Sequence, residues 1–239
     1  MNKRSKQVRR DAIKLSKANG GYHWGGSFSC AEILISLYDE VLTDDDVFIL
    51  SKGHGCWCYY VLLREKGFNP VLEGHPSYDP VNGVHATTGS MGHGFPFGIG
   101  IALAKKMKGE PGKVYVLMGD GECQEGTTWE SLLLAVKLDL KNLVVIIDNN
   151  KIQGSGFTDD INSIQSIYKV AENIGWETFG IDGQTYMFEF LPRQSKQPIF
   201  IIANTVKGKG VSFMENKPEW HSKWLTDEME QKALKELCE

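Results

Sequence analysis

What the sequence lacks narrows its role first. No apolar run approaches the length of a membrane span. The basic start, MNKRSKQVRR, is followed by no apolar segment, which argues against a secretory signal and suits the exposed face of a first helix. Positive charge is not in excess. Its 26 Lys and Arg stand against 30 Asp and Glu, a net charge of -4, so no basic stripe marks a nucleic-acid binder. Paired cysteine spacings are missing: Cys30, Cys56, Cys58, Cys123 and Cys238 are odd in number and follow no C-x-x-C or zinc pattern. That pattern fits reduced thiols in a cytoplasmic protein. The six histidines show no H-E-x-x-H spacing, and no repeat or low-complexity block is present.

What is there reads as a soluble globular chain, 41% hydrophobic and 23% charged, expected to form one domain over residues 1–239. Short apolar runs at 47–51, 113–118, 142–147 and 198–206 read as strands, with an edge-like strand at 176–181. Helical periodicity covers Ser5–Asn19, 30–41, 56–67, 125–138, 161–175 and 226–238. Ser29 with Glu32, and Asp227 with Glu230, read as capping boxes. NGGYHWGGS at 19–27 reads as a glycine-rich loop, and Asn69–Thr88 as a long ordered or functional one. Residues 89–109 hold a glycine-studded helix that packs backbone-close to a neighbour. Alternating strands and helices predict an α/β fold, a parallel β-sheet flanked by helices on both faces. In such sheets ligands sit at the carboxyl ends of the strands.

Two of those ends carry chemistry. The run VYVLM closes on Gly119-Asp120-Gly121, and LVVII closes on Asp148-Asn149-Asn150. Asp120 offers a carboxylate oxygen, and Asn149 or Asn150 an amide oxygen. Hard oxygen donors of this kind suit magnesium shared with a phosphate. Gly119 and Gly121 let the backbone pass close to that phosphate. Two independent turns are the plainer alternative.

GDG, twenty-seven residues and then NN resembles the thiamine diphosphate signature. The wider sequence resembles the transketolase family from about residue 8 to 224. GDGECQEGTTWES, YHWGGSFSCAEIL, FILSKGHG, EGHPS, HATTGSMGHG and NTVKGKGVSFMENKPEWH match it in order. The resemblance implies a thiamine diphosphate-binding fold, specifically the diphosphate domain. It implies thiamine diphosphate with Mg2+, or Ca2+ or Mn2+ in its place, held by Asp120, Asn150 and the Ile152 carbonyl. Asn150 is preferred to Asn149 because it directly precedes the K-I of the family motif. Gly121 and Glu122 are expected by the diphosphate, with His54 and His221 hydrogen-bonding it or nearby groups. Gly89 is expected at the aminopyrimidine or its diphosphate arm, and Met91 under the thiazolium, holding the cofactor bent. His23 and His75 are expected on hydroxyls of a ketose donor. Glu125 resembles the carboxylate that links two active sites across a subunit interface. His93 departs from the family's usual glutamine, His85 has no assigned role, and Lys209, between two glycines, reads as solvated.

The same resemblance implies a missing part. The glutamate that faces N1′ of the aminopyrimidine belongs to a pyrimidine-binding domain, which follows this region in the family. A clean Met1 and a capped last helix favour a split enzyme over a piece of a longer chain. The expectation is an N-terminal transketolase subunit that moves a two-carbon ketol unit between sugar phosphates. It would work with a C-terminal subunit supplying the pyrimidine-binding domain, in a heterotetramer with two copies of each chain. Alternatives are a subunit of a thiamine-dependent 2-oxo-acid decarboxylase or dehydrogenase, and a non-catalytic cofactor-binding remnant. The GHP and YHWGGS elements, suited to hydroxyl-rich donors, weigh against the former, and the intact His23, His54, His75, Asp120, Asn150 and His221 against the latter.

Overall fold

In the computed structural model, which describes residues 1–185 and 195–238, seven strands and nine helices are named here in chain order. Helix α1 (Lys3–Lys17) is followed by α2 (Trp24–Ser29) and α3 (Ala31–Ser36), which runs into a π-helical turn, Leu37–Val41. Strand β1 (Val47–Leu50) leads through a tight turn at Gly53–Gly55 into α4 (Cys56–Glu65). After the long loop come α5 (Gly94–Lys108), β2 (Val114–Gly119), α6 (Gly126–Lys137) and β3 (Leu143–Asn149). Two short strands, β4 (Ile152–Gln153) and β5 (Gly156–Phe157), make a small hairpin before α7 (Thr158–Asn162) and α8 (Gln165–Ile174). Strands β6 (Glu177–Asp182) and β7 (Ile199–Asn204) and helix α9 (Asp227–Glu236) complete the order.

The main sheet is parallel, ordered β1-β2-β3-β7-β6. Side chains alternate across a strand, and the two cores follow that alternation. Phe48, Leu50, Tyr115, Leu117, Val144, Ile146, Ile199 and Ile201 face one core, with residues of α1, α3, α4 and α9. Ile49, Val114, Val116, Met118, Val145, Ile147 and Phe200 face the other, with residues of α5, α6 and α8. Helices therefore cover both faces, and β2 and β3 are buried along their whole length. β6, at the sheet margin, is only half-buried, as an edge strand is expected to be. The backbone-close helix is α5: a Cβ on Gly98 would stand 2.5 Å from a Val116 methyl. No described helix is long and apolar enough to cross a membrane.

Several local expectations are corrected. Trp24–Ser29 is helical rather than loop, because Gly25 and Gly26 pack too closely for side chains. Ser29 ends that helix and caps nothing; its hydroxyl donates to Asp148 at 2.5 Å, while Glu32 pairs with Arg9 in the interior. The last helix is capped by Thr226, one residue before the expected box, with Met229 N–H donating to its hydroxyl. The expected helix at 161–175 divides into α7 and α8, and the β4–β5 hairpin was not foreseen.

Candidate active site

The register of the sheet builds the site. Gly119 of β2 pairs with Asp148 of β3, so the chain leaves both strands side by side at their carboxyl ends. Asp120 and Asn150 follow directly, and the β4–β5 hairpin brings Ile152 under them. Together they floor a cleft of about 840 Å3, solvent mouth included. His23, His54, His75, Gly89, Met91, Asp120, Gly121, Glu122, Asn150, Ile152 and His221 all line it. Of the residues expected from the sequence, Glu125 alone stands outside the cleft wall. It precedes α6, and its side chain packs against Gly92, whose φ of 75° and closeness to Glu125 leave no room for a Cβ. His85 and His93 also lie outside the cleft; His93 Nδ1 meets Met91 O and Ser90 Oγ at the surface.

The floor suits a hard cation. Asp120 is 2% exposed, and Gly121 N–H and the Thr158 hydroxyl donate to its carboxylate. Burial, and next the Asp148 charge, push its carboxyl above the usual range, so a cation would relieve it. Asn150 Nδ2 donates to Ser29 Oγ at 3.2 Å and to Asp148 at 3.3 Å. Its oxygen is thereby turned to the Ile152 side, where Ile152 N–H donates to it at 3.1 Å. A carboxylate, an amide oxygen and a carbonyl form a donor set for Mg2+, Ca2+ or Mn2+. Among the described residues no three His, Cys, Asp or Glu side chains gather as a metal group.

Two buried lysines complete the floor, and neither was expected from the sequence. Lys52, beside His54, makes a buried ion pair with Asp148 and donates to Gly26 O at 2.8 Å. Burial is the largest single effect and opposes its charge, but the neighbouring groups together, Asp148 foremost, outweigh it and raise the ammonium above its ordinary range. Lys207 donates to Ile152 O at 2.8 Å and to His221 Nδ1 at 3.0 Å. Burial, with Lys52 nearby, lowers its ammonium to about 8. A carbonyl has a second lone pair, so Ile152 O can serve this lysine and a metal together. Lys209, the lysine weighed from the sequence, is instead at the surface near Glu215, 3.5 Å away. The signal for Lys207 was its place just past the β7 strand end, where ligands gather.

One wall is a cluster of four histidines. The His23 ring lies 5.4 Å from His54, 5.7 Å from His75 and 5.4 Å from His221, between centroids. Burial lowers all four imidazoles, His54 well below its ordinary range, and His221, beside Lys207, to about 3. They are neutral near pH 7. His23 Nδ1 donates to the His221 carbonyl, which fixes its proton and leaves Nε2 an acceptor. His221 Nδ1 receives Lys207, so its Nε2 carries the proton. The cluster thus offers both a hydrogen-bond acceptor and a donor to bound hydroxyls. His23 holds a left-handed φ of 65°, rare for a side-chain-bearing residue, which this bond supports. Gly89 leaves room for His75, whose ring would lie 2.8 Å from a Cβ there. Met91 reaches across the cleft toward Gly121. The Glu122 carboxylate accepts from Ser51 Oγ at 2.6 Å, Gly119 N–H at 2.8 Å and Gly92 N–H at 3.0 Å, tying three loops around the cleft.

Comparison with known proteins agrees with this geometry. A family model described as transketolase, thiamine diphosphate binding domain, matches residues 3–237. The chain is 39% identical to an apulose-4-phosphate transketolase subunit from Actinobacillus succinogenes, over 99% of this chain and 95% of that one. It is 35% identical to the 6-deoxy-6-sulfo-D-fructose transketolase subunit SqwG of a Clostridium species, over 90% of this chain and 88% of that one. Mouse transketolase is 30% identical over 97% of this chain, which spans 41% of the mouse protein. The crystal structure of Campylobacter jejuni transketolase superposes with a TM-score of 0.85 at 26% identity, covering 100% of this chain and 43% of that one. The strand-end Asp120 and Asn150, the histidine wall and these likenesses converge: the chain belongs to the transketolase family and carries its thiamine diphosphate-binding domain.

Proposed function

We propose that this chain is the cofactor-holding, N-terminal subunit of a two-chain transketolase, moving a two-carbon ketol unit from a ketose to an aldose. The observation that carries the reading is the meeting of Asp120, Asn150 and Ile152 O beneath four neutral histidines in one cleft. Asp120, Asn150 and Ile152 O would hold Mg2+, and Lys207 would add its charge to the diphosphate. Gly121 lets the diphosphate lie close to the backbone, and Glu122 keeps the surrounding loops in place. His54 and His221 would orient the diphosphate end, with Gly89 and Met91 bounding the rings. Thiamine diphosphate, when bound, supplies the electron sink that carries the two-carbon unit. His23 and His75 would orient the donor's hydroxyls, His23 through its acceptor Nε2.

The cofactor's aminopyrimidine needs a glutamate that this reading assigns to a companion subunit, with Glu125 at the contact between sites. Two copies of each chain would form a heterotetramer. Relatives that are themselves named as single subunits of a transketolase, and are matched over most of their length, support the division. Those relatives are named for apulose-4-phosphate and a sulfonated fructose, so a sugar with an anionic end is the substrate class. The test is a titration of thiamine diphosphate into the chain with its companion, with and without Mg2+, followed by tryptophan fluorescence. Saturable, Mg2+-dependent binding is expected; binding indifferent to Mg2+ would contradict the floor's assignment.

A further inference from the structure

His221 is delivered by a strap. The turn Pro218–His221 is followed by an irregular stretch, 222–226, that runs over the surface to the start of α9. Outside the cleft this strap is held by Leu225, packed on the core, and by contacts of Trp224 and of the α9 start. Trp224 stacks on Tyr22, with ring centroids 5.0 Å apart and planes at 27°. Lys17, at the end of α1, pairs with Asp227 at 3.0 Å and with Glu230. Tyr22 in turn lies 4.1 Å from the His23 ring, and it packs beside Gly74, the neighbour of His75. Trp224 does not line the cleft.

Trp224 is a poor core residue. It leaves 58% of its surface in water, and beside it opens a surface hollow of about 360 Å3, open solvent included, reaching Ile13, Trp24 and Leu225. Its apolar contribution to folding is correspondingly small. Yet its stacking partner adjoins His23, and its own strap carries the carbonyl to which His23 Nδ1 donates. An aromatic stack at this point restrains the strap where it leaves the site.

We infer that Trp224 is a positioning residue: with Tyr22 it clasps the strap against the 20–23 loop and so keeps the His23–His221 hydrogen bond closed for the donor sugar. The consequence for substrate rests on the transketolase reading; the clasp itself does not.

The test uses the full chain in three forms: wild type, Trp224→Ala and Trp224→Phe. Proton–nitrogen NMR of the imidazoles reads the His23 Nδ1 proton directly in the chain without its companion. The wild type and Trp224→Phe are expected to show it protected from exchange, and Trp224→Ala to lose that protection while its Tm stays within about 3 °C. In the complex with the companion subunit, Trp224→Ala is expected to raise KM for the ketose donor by about tenfold with kcat changed less than about threefold, and Trp224→Phe to restore it. A protected His23 proton in Trp224→Ala overturns the clasp, as does a large fall in its Tm, which would make Trp224 a folding residue. If ketol transfer is absent from the wild-type complex, the functional reading fails while the NMR result still decides the clasp. An unchanged donor KM in an active complex would overturn the link to the donor.

Discussion

The Lys52 ammonium lies against the Asp148 carboxylate with both side chains sealed from solvent. The pair sits at the end of β3, and Asp148 also accepts from Ser29, Thr205 and Asn150. It therefore does more than neutralise a charge, because it turns the Asn150 amide so that its oxygen faces Ile152 on the cleft floor. Breaking such a pair from one side strands a buried charge.

Lys52→Met is expected to lower the stability of the chain by about 3–5 kcal/mol. Urea denaturation followed by circular dichroism measures it. A loss below about 1 kcal/mol would mean that the pair is dispensable.

Asp120→Asn keeps the shape of the floor and removes its charge. Mg2+-dependent binding of thiamine diphosphate is expected to weaken by roughly a hundredfold or more. EDTA should bring the wild type to the same level. Calorimetric titration of the complex reads both, and an Asp120→Asn protein with wild-type affinity would refute the metal assignment.

The two lysines of the K-G-K-G run are predicted to differ. Lys207→Met removes the charge proposed to meet the diphosphate and is expected to cost about 1.5–3 kcal/mol of cofactor binding. Lys209→Met, at the surface beside Glu215, is expected to leave that affinity unchanged. Parallel fluorescence titrations compare them; equal losses would show that burial does not distinguish their roles.

Acid is expected to destabilise the chain before its carboxylates matter. Burial holds His23, His54, His75 and His221 below their ordinary 6.5 in the fold. As pH falls under 6.5 the unfolded chain takes up protons that the folded chain refuses. Stability present above that pH is thus lost toward the folded values, about 3 for His221. Toward acid, Asp120 and Glu122, whose carboxyls are raised above their ordinary range by burial, take up protons in the fold first and offset part of the loss. The urea midpoint should therefore fall between about pH 6.5 and 5, and fall less in His54→Gln. A flat midpoint over that range would contradict the neutral histidine wall.

The sheet and the place of Asp120 and Asn150 at adjacent strand ends were legible because both depend on local pattern. Apolar runs of strand length that end in GDG and DNN put Asp120 and Asn150 at neighbouring carboxyl ends of a parallel sheet. What escaped depends on tertiary packing. Trp24–Ser29 is helical against its glycine content because Gly26 must pass the His54 ring and Gly25 the Trp220 carbonyl. Lys207 looks as solvent-loving as Lys209 in sequence, and only burial separates them. Ser29 carries the pattern of a cap, but the fold spends its hydroxyl on Asp148.

The most direct test is ketol transfer measured on three samples: the chain alone, the companion subunit by itself, and the two mixed, each with thiamine diphosphate and Mg2+. Turnover of a ketose donor and an aldose acceptor is expected only in the mixture, and its loss there with Asp120→Asn. Substantial turnover by this chain alone, or none in a mixture that assembles and binds the cofactor, would contradict it.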